Sequence, residues 1–482
     1  MTMRRFDLLL LCGAILLTVL LLGPVLTIPL RIPINYNEGW NAGFDARAVG
    51  LGSGALYPGP DSFVFNNYPP LGFLIVGTVG RFLFADMIVA GRVIALLSLL
   101  ASAGLVFVCV RMMGAAVRPA LAAALLLLLV TATFYRGYVA MDDPQWLAHA
   151  TMLGGLATLL PGARHVEPPW RRIVLAALLM VAGGFIKHNL VALPVATTLW
   201  LLWTRPRAGI LFVATSVLAI GLGLALLNWC YGPAAFADIF HHRRIFRVHL
   251  LTHAISRLAP LLPAGLAVCL VLRRHSAGAY AGLAGLFMAI ALPTGTLQRM
   301  GEGVYYNAHF EAMIAVCLGF GLALQQAGER QRAALLLFAL APVLGAMPWH
   351  LPIAWTAAVD REARQEAWRP VIAALAAAPG TVGCEMSSLC YWADKPFTVD
   401  LFNLTQSVLA GGPLQPFRSA VAQREFTLFQ DDPSAFLHSD AVRRLGRDPI
   451  MASFTGAYRV AGQGPDGTVL LAPVLHGSGT TE

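Results

Sequence analysis

Residues 183–194 read GGFIKHNLVALP, in the middle of an apolar stretch that runs from 173 to 203. The fold turns on whether that stretch is one helix or two. A single helix would extend about 46 Å at 1.5 Å per residue, against a hydrocarbon core of about 30 Å. It would place Lys187, His188 and Asn189 near its centre, where an ionisable group is costly. Pro194 would also interrupt its hydrogen bonding. Two short helices turning at Lys187 meet all three constraints. The turn also sets which side of the membrane everything downstream lies on.

The rest of the chain supports a membrane reading. Of 482 residues, 57% are hydrophobic and 12% are charged, where soluble domains carry about 25% charged residues. The chain is therefore expected to be an α-helical polytopic membrane protein. The net charge of +9 is carried by arginine, because Lys187 and Lys395 are the only lysines. Such an excess belongs to cytoplasmic loops, and no stretch resembles a nucleic-acid-binding patch. Apolar runs of helical length predict eleven spans, at 6–30, 88–110, 119–134, 146–160, 173–186, 189–203, 208–229, 258–272, 277–292, 308–324 and 333–349. The first, behind Arg4 and Arg5, reads as an uncleaved signal anchor. Residues 70–84 are apolar but short, and read as a helix lying against or dipping into the membrane.

Arginine counting orients the chain. Arg4 and Arg5, then Arg111 and Arg118, then Arg164, Arg171 and Arg172 fall on one side, the cytoplasm. The loop after the first span is then outside. Arg243, Arg244, Arg247 and Arg257 also fall outside, against the rule. Either the turn at Lys187 is misread, or that cluster is held outside for a purpose. After residue 349 charges return. The segments GTVGCEM, PFTVDLF, YRVAG and GTVLLAPV read as strands and 361–378 as a helix. This divides the chain into a membrane module, 1–349, and a small periplasmic α/β domain, 350–482. Cys384 and Cys390 could pair there, since disulfides persist in oxidising compartments. Cys12, Cys109, Cys269 and Cys317 lie in apolar runs as packing residues.

With this topology the polar clusters collect on the outer face. The first outer loop carries Asn37, Glu38 and Asp45, then Asn67 and Tyr68. The second carries Asp142 and Asp143. The turn at Lys187 adds His188. The loop FHHRRIFRVHLLTH brings Arg243, Arg244 and Arg247, the first and last four apart and so on one helical face. The loop QRMGEGVYYNAHFE brings Tyr306, Asn307, His309 and Glu311. Plainer readings stand beside each of these. Asp142 and Asp143 precede Pro144 as a helix cap would. Lys187 could snorkel to the surface. The arginine run could be an amphipathic helix on headgroups, and the YYNAHFE stretch an aromatic belt. Together, though, they ask for chemistry on a membrane-borne anion at the outer boundary. A carboxylate would take a proton from an incoming hydroxyl, and lysine and arginines would hold a phosphate as it leaves. Aromatics and amides would hold a sugar ring.

The order of these motifs resembles the GT-C superfamily of polytopic glycosyltransferases, in the group related to protein mannosyltransferases and lipid A aminoarabinose transferases. The matching residues are Asn37-Glu38-Gly39, Asn67-Tyr68-Pro69-Pro70-Leu71, Asp142-Asp143-Pro144, Gly183-Gly184-Phe185-Ile186-Lys187 and Asn307-Ala308-His309-Phe310-Glu311. The resemblance implies inverting transfer of a sugar from a polyprenyl-phosphate donor to an acceptor hydroxyl at the periplasmic face of a bacterial inner membrane. The acceptor would be a lipid, a polysaccharide or a protein. A first-loop acid would be the general base, and some members use a divalent metal. Where many members carry Asp-Glu, this chain has Asn37-Glu38, so the base role passes to Glu38 by proximity, with Asp45 as the fallback and then Asp142 or Asp143. Lys187, His188, Arg243, Arg244 and Arg247 would bind the lipid phosphate. The remaining polar residues would hold sugar, acceptor or metal. Two other classes compete: a transporter or flippase of lipid-linked sugars, which predicts repeated halves that the sequence lacks, and a non-catalytic envelope-assembly protein.

Overall fold

The computed structural model describes residues 3–59, 62–160, 168–240, 244–274, 278–431 and 450–474. Its helices are α1 (Met3–Thr27), α2 (Tyr36–Ala48), α3 (Pro70–Val79), α4 (Met87–Met112), α5 (Val117–Phe134), α6 (Gln145–Leu159), α7 (Trp170–Ile186), α8 (Ala192–Thr204), α9 (Pro206–Phe240), α10 (Leu250–Leu258), α11 (Leu262–Arg274), α12 (Ala279–Arg299), α13 (Phe310–Gln326), α14 (Glu329–Val359), α15 (Arg361–Ala377), α16 (Ser387–Trp392), α17 (Leu401–Leu409) and α18 (Gln415–Ala422). Each expected span coincides with a helix. Among the described residues seven helices are long and apolar enough to cross a membrane, or eight if α10 and α11, bent by 65°, form one span. The chain is a multi-pass membrane protein. Helices α6, α7 and α8 are apolar but only 15, 17 and 13 residues long.

The deciding stretch breaks as expected. Helix α7 stops where Lys187 turns to extended backbone. Helix α8 starts at Ala192, and the Glu311 carboxylate of α13 accepts from the amides of Ala192 and Leu193 at 3.1 and 2.9 Å. A carboxylate there satisfies orphan amides and suits the positive end of the helix dipole. Helix α13 is the central pillar, buried from Phe310 to Leu324 and packed by α4, α5, α11, α12 and α14. In contrast, α1 and α9 lie on the outside of the bundle.

The last long helix, α14, continues past residue 349 to Val359. Beyond α15 comes a four-stranded sheet of β1 (Thr381–Cys384), β2 (Phe426–Asp431), β3 (Tyr458–Gln463) and β4 (Val469–Pro473), in the order β1-β2-β4-β3. Strand β1 runs parallel to β2, and the other pairings are antiparallel. Two sequence expectations change here. The segment PFTVDLF is not a strand, because Asp400 caps α17 by accepting from the Asn403 amide. Strand β2, which the sequence reading did not anticipate, is central. Cys384 and Cys390 form a disulfide between the end of β1 and α16.

The sheet region sits directly on the first-loop helix. A Cβ placed on Gly39 would come within 1.9 Å of the Ser388 amide nitrogen, so α2 and α16 touch backbone to backbone. Gly39→Val is therefore expected to force α16 off α2 and speed cleavage around it in limited proteolysis. A cleavage pattern equal to wild type would refute that close contact.

Candidate active site

Helix α2 begins with the Asn35 side chain accepting from the Asn37 amide, and this cap places Glu38 in the first turn. Glu38 is wholly buried and meets Arg92 of α4 through two bonds, Arg92 Nε to Oε1 and Nη2 to Oε2, both 2.8 Å. The amides of Ile34 and Asp142 also donate to it, at 3.1 and 3.3 Å. Arg92 donates further to the carbonyls of Thr27, Ile28, Leu30 and Ile32. This one guanidinium thus ties the end of α1 and the chain leaving it to α2. Glu38 has no lone pair left facing open space; it is the counter-ion of a buried clamp. Sequence reasoning missed Arg92, although an arginine inside an apolar run is the signal that should have found it.

Beside the clamp lie two more buried acids. Asn41 donates to the backbone carbonyl of Asp142 at 2.7 Å. The Asp142 carboxylate fits only because residue 91 is glycine, whose Cβ would fall 1.9 Å from Oδ1. Asn41 Oδ1, Asp45 Oδ2 and Asp142 Oδ2 are buried without a hydrogen-bond partner among the described residues. Burial pushes the pKa of Asp45 well above the usual carboxylate range. It does the same for Asp142, where repulsion from Asp45 and Glu38 adds to it. An acid whose pKa rises on folding stabilises the protein while protonated, and that stability is lost as pH climbs through the folded value. Melting temperature is thus expected to fall as pH rises above the ordinary carboxylate range. Asp142→Asn should flatten the slope, and an unchanged slope would refute this.

Asp143 and Lys187 form a second buried ion pair. Lys187 Nζ lies 2.9 Å from Oδ1 and 3.2 Å from Oδ2. Oδ1 also accepts from the Gln145 amide at 2.8 Å, so the helix-capping role read from the sequence is present. Lys187 Nζ stands 4.7 Å from the centre of the Tyr68 ring, a cation–π contact. Tyr36 and Tyr138 lie within electrostatic range of Asp143. His188 sits 6.5 Å from Tyr68, ring to ring. Its pKa is held down to about 4 by burial and by the charges of Lys187 and Arg244.

The later motif divides its labour. Asn307 donates to Gln145 Oε1 at 3.1 Å, and Gln145 in turn contacts His149. Glu311 caps α8, His309 is fully buried, and Asn67 is nearly so. Tyr306 lies under two guanidinium groups, those of Arg257 at 4.7 Å and Arg299 at 5.9 Å. Arg247 pairs with Glu302 at 3.4 Å, and Arg244 donates to the Glu302 carbonyl. Arg244 also stands over Phe402 of α17 at 5.2 Å, and Phe402 packs on Tyr36 at 5.1 Å. Arg243 falls outside the described residues. The sequence reading did not single out Tyr36, Gln145, Arg299 or Asp400, whose carboxylate accepts from Trp40 Nε1 at 2.8 Å. Among the described residues no three of His, Cys, Asp or Glu gather as a metal site.

No family model and no curated protein matches the chain. Solved structures do. ArnT from Cupriavidus metallidurans in the apo state is similar at a TM-score of 0.63 and 12% identity, over 98% of both chains. The same protein bound to undecaprenyl phosphate gives 0.61 and 14% identity, over 98% of this chain and 99% of that one. The chain has an ArnT-like fold. The Archaeoglobus fulgidus oligosaccharyltransferase tethered with an acceptor peptide is more distant, with a TM-score of 0.52 and 10% identity over 95% of this chain and 74% of that one.

Proposed function

We propose that the chain is a membrane glycosyltransferase. It moves a sugar from a polyprenyl-phosphate donor to an acceptor hydroxyl at the outer face of a bacterial inner membrane, with inversion. The observation that carries this reading is the convergence of Asp143, Lys187, Tyr36, Tyr68 and Tyr138 at one end of an ArnT-like bundle. ArnT itself has been solved with undecaprenyl phosphate bound. The Cys384–Cys390 disulfide supports a periplasmic tail.

Asp143 is the general base in this scheme, in place of Glu38. Among the described residues its Oδ2 has only the longer 3.2 Å contact to Lys187, which leaves a lone pair for an incoming hydroxyl. Lys187 orients it, as the third member of a catalytic set orients a base. Phosphate binding is assigned to Arg257 and Arg299 around Tyr306. Neither has a carboxylate partner among the described residues, and Arg299 Nε is buried with no hydrogen bond. Two unneutralised guanidinium groups suit a phosphate that gains charge as it leaves. Arg244, near His188, would steer the sugar side. A divalent cation of the kind some superfamily members use would find oxygen ligands suited to a hard ion in Asn41, Asp45 and Asp142, where it would add positive charge.

Mass spectrometry of polyprenyl-phosphate sugars and envelope glycans tests the reading in cells with and without the protein. The expected result is accumulation of one lipid-linked sugar and loss of the same residue from one glycan. If neither pool changes, the transferase reading fails.

A further inference from the structure

A cleft of about 740 Å³ opens on the other side of α2, away from Glu38, Asn41 and Asp45. Its wall on α2 is the Gly39–Gly43–Ala46–Arg47 face. The opposite wall comes from the tail between Ser387 and Phe397, and the floor from Ala85, Asp86 and Met87 at the start of α4. The reaction chemistry proposed above does not use it. Its volume is in the range that holds small ligands.

Three features say what it holds. The first is depth. Met87 is the first residue of one long apolar helix, and Arg31 lies just beyond Thr27, the last residue of another. The cleft is therefore at the boundary where two spans leave the membrane. The second is the rim. Phe84 lines it, and beside it Phe82 and Leu83 are each 74% exposed. This apolar tip gains burial only by entering lipid, as interfacial aromatics do. The third is charge. Arg31, Arg47 and Lys395 face the cleft, and none has a carboxylate partner among the described ion pairs. Arg47 is positioned by donating to the carbonyls of Ala55 and Phe397, and Lys395 by donating to that of Ala378. Carbonyls fix these cations without neutralising them. Burial lowers the Arg47 pKa to about 10, so an anion brought alongside would relieve a cost already present. Of the two acids in the lining, Asp86 already accepts from the amides of Ile88 and Val89. Asp394 is the other.

We infer that this cleft binds the headgroup of an anionic phospholipid, with the phosphate among Arg31, Arg47 and Lys395 and the acyl chains passing the Phe82–Phe84 tip into the bilayer. The bound lipid bridges the first-loop helix and the tail. Juxtamembrane cations attract anionic lipid, and a walled cleft adds specificity to that attraction.

The test is binding by delipidated protein in detergent, followed by native mass spectrometry and thermal shift. The probes are phosphatidylglycerol, phosphatidylcholine and inorganic phosphate. Phosphatidylglycerol is expected to remain bound and raise the melting temperature, with the other two much weaker. Arg31→Gln/Lys395→Gln, which spares the loop-holding Arg47, should weaken phosphatidylglycerol binding at least about tenfold, the loss of roughly 1.4 kcal/mol. Equal stabilisation by phosphatidylcholine would show that charge is not read. Equal stabilisation by inorganic phosphate would make this a free-anion site, and unchanged affinity of the double variant would place the lipid elsewhere. Each of these overturns the inference. None depends on turnover, so failure here is separable from failure of the transferase reading.

Discussion

Glu38→Gln leaves the Arg92 guanidinium buried with no carboxylate and is expected to destabilise the protein by about 3–5 kcal/mol. The reason lies in the geometry. Both carboxylate oxygens receive Arg92, and two backbone amides complete the shell. Glutamine can accept at one oxygen only, and its amide group would point donors at donors. The measurement is thermal unfolding of purified protein in detergent. Glu38→Gln combined with Arg92→Met should recover much of the loss, because replacing both members of a buried pair is far milder than removing one. The four carbonyls that Arg92 serves limit how complete that recovery is. A Glu38→Gln protein that melts like wild type and yet loses turnover would return the base role to Glu38.

Asp143→Asn is expected to lower turnover by about 10²- to 10⁴-fold, the usual contribution of a general base. The substitution also strands Lys187, so melting must be measured with it. Lys187→Met/Asp143→Asn separates the two effects, since it restores the balance of charge without restoring a base. That pair should melt close to wild type and remain inactive. Full turnover by either variant would remove Asp143 from the chemistry and leave Asp45 and Asp142 as the acids to test.

Much of the fold was legible because lipid imposes simple rules. Length, the charge of Lys187 and Pro194 together argued that 173–203 breaks, and Lys187 marked where; length alone would not have done so, because α14 has the same 31 residues and runs as one helix. The polar clusters were legible for a related reason: polar residues collect where the chain leaves the hydrocarbon. Roles within them were not, because they depend on partners distant in sequence. Glu38, read from the sequence as a base, meets Arg92, 54 positions on, through both of its oxygens. Lys187, read from the sequence as a lipid-phosphate ligand, is paired with Asp143. In the tail, PFTVDLF has the alternation of a strand, but Asp400 is committed to a helix cap and to Trp40, and a cap overrides local pattern. The central β2 was overlooked although FTLFQD is as strand-like as the segments chosen. Nothing in a short run of residues tells an edge from a centre.

The pillar α13 has a consequence for how the molecule is made. It is enclosed by helices that precede it in the chain, α4, α5, α11 and α12, and by α14, which follows. Synthesis proceeds from the N-terminus, so most of the ring is in the bilayer before the helix it surrounds exists. Those earlier helices cannot reach their final spacing on first insertion; the space they enclose must be held by lipid, by a chaperone or by loose contact with one another. Assembly therefore ends with a late, inward step. A ribosome stalled just before residue 310 would leave a wall without its post.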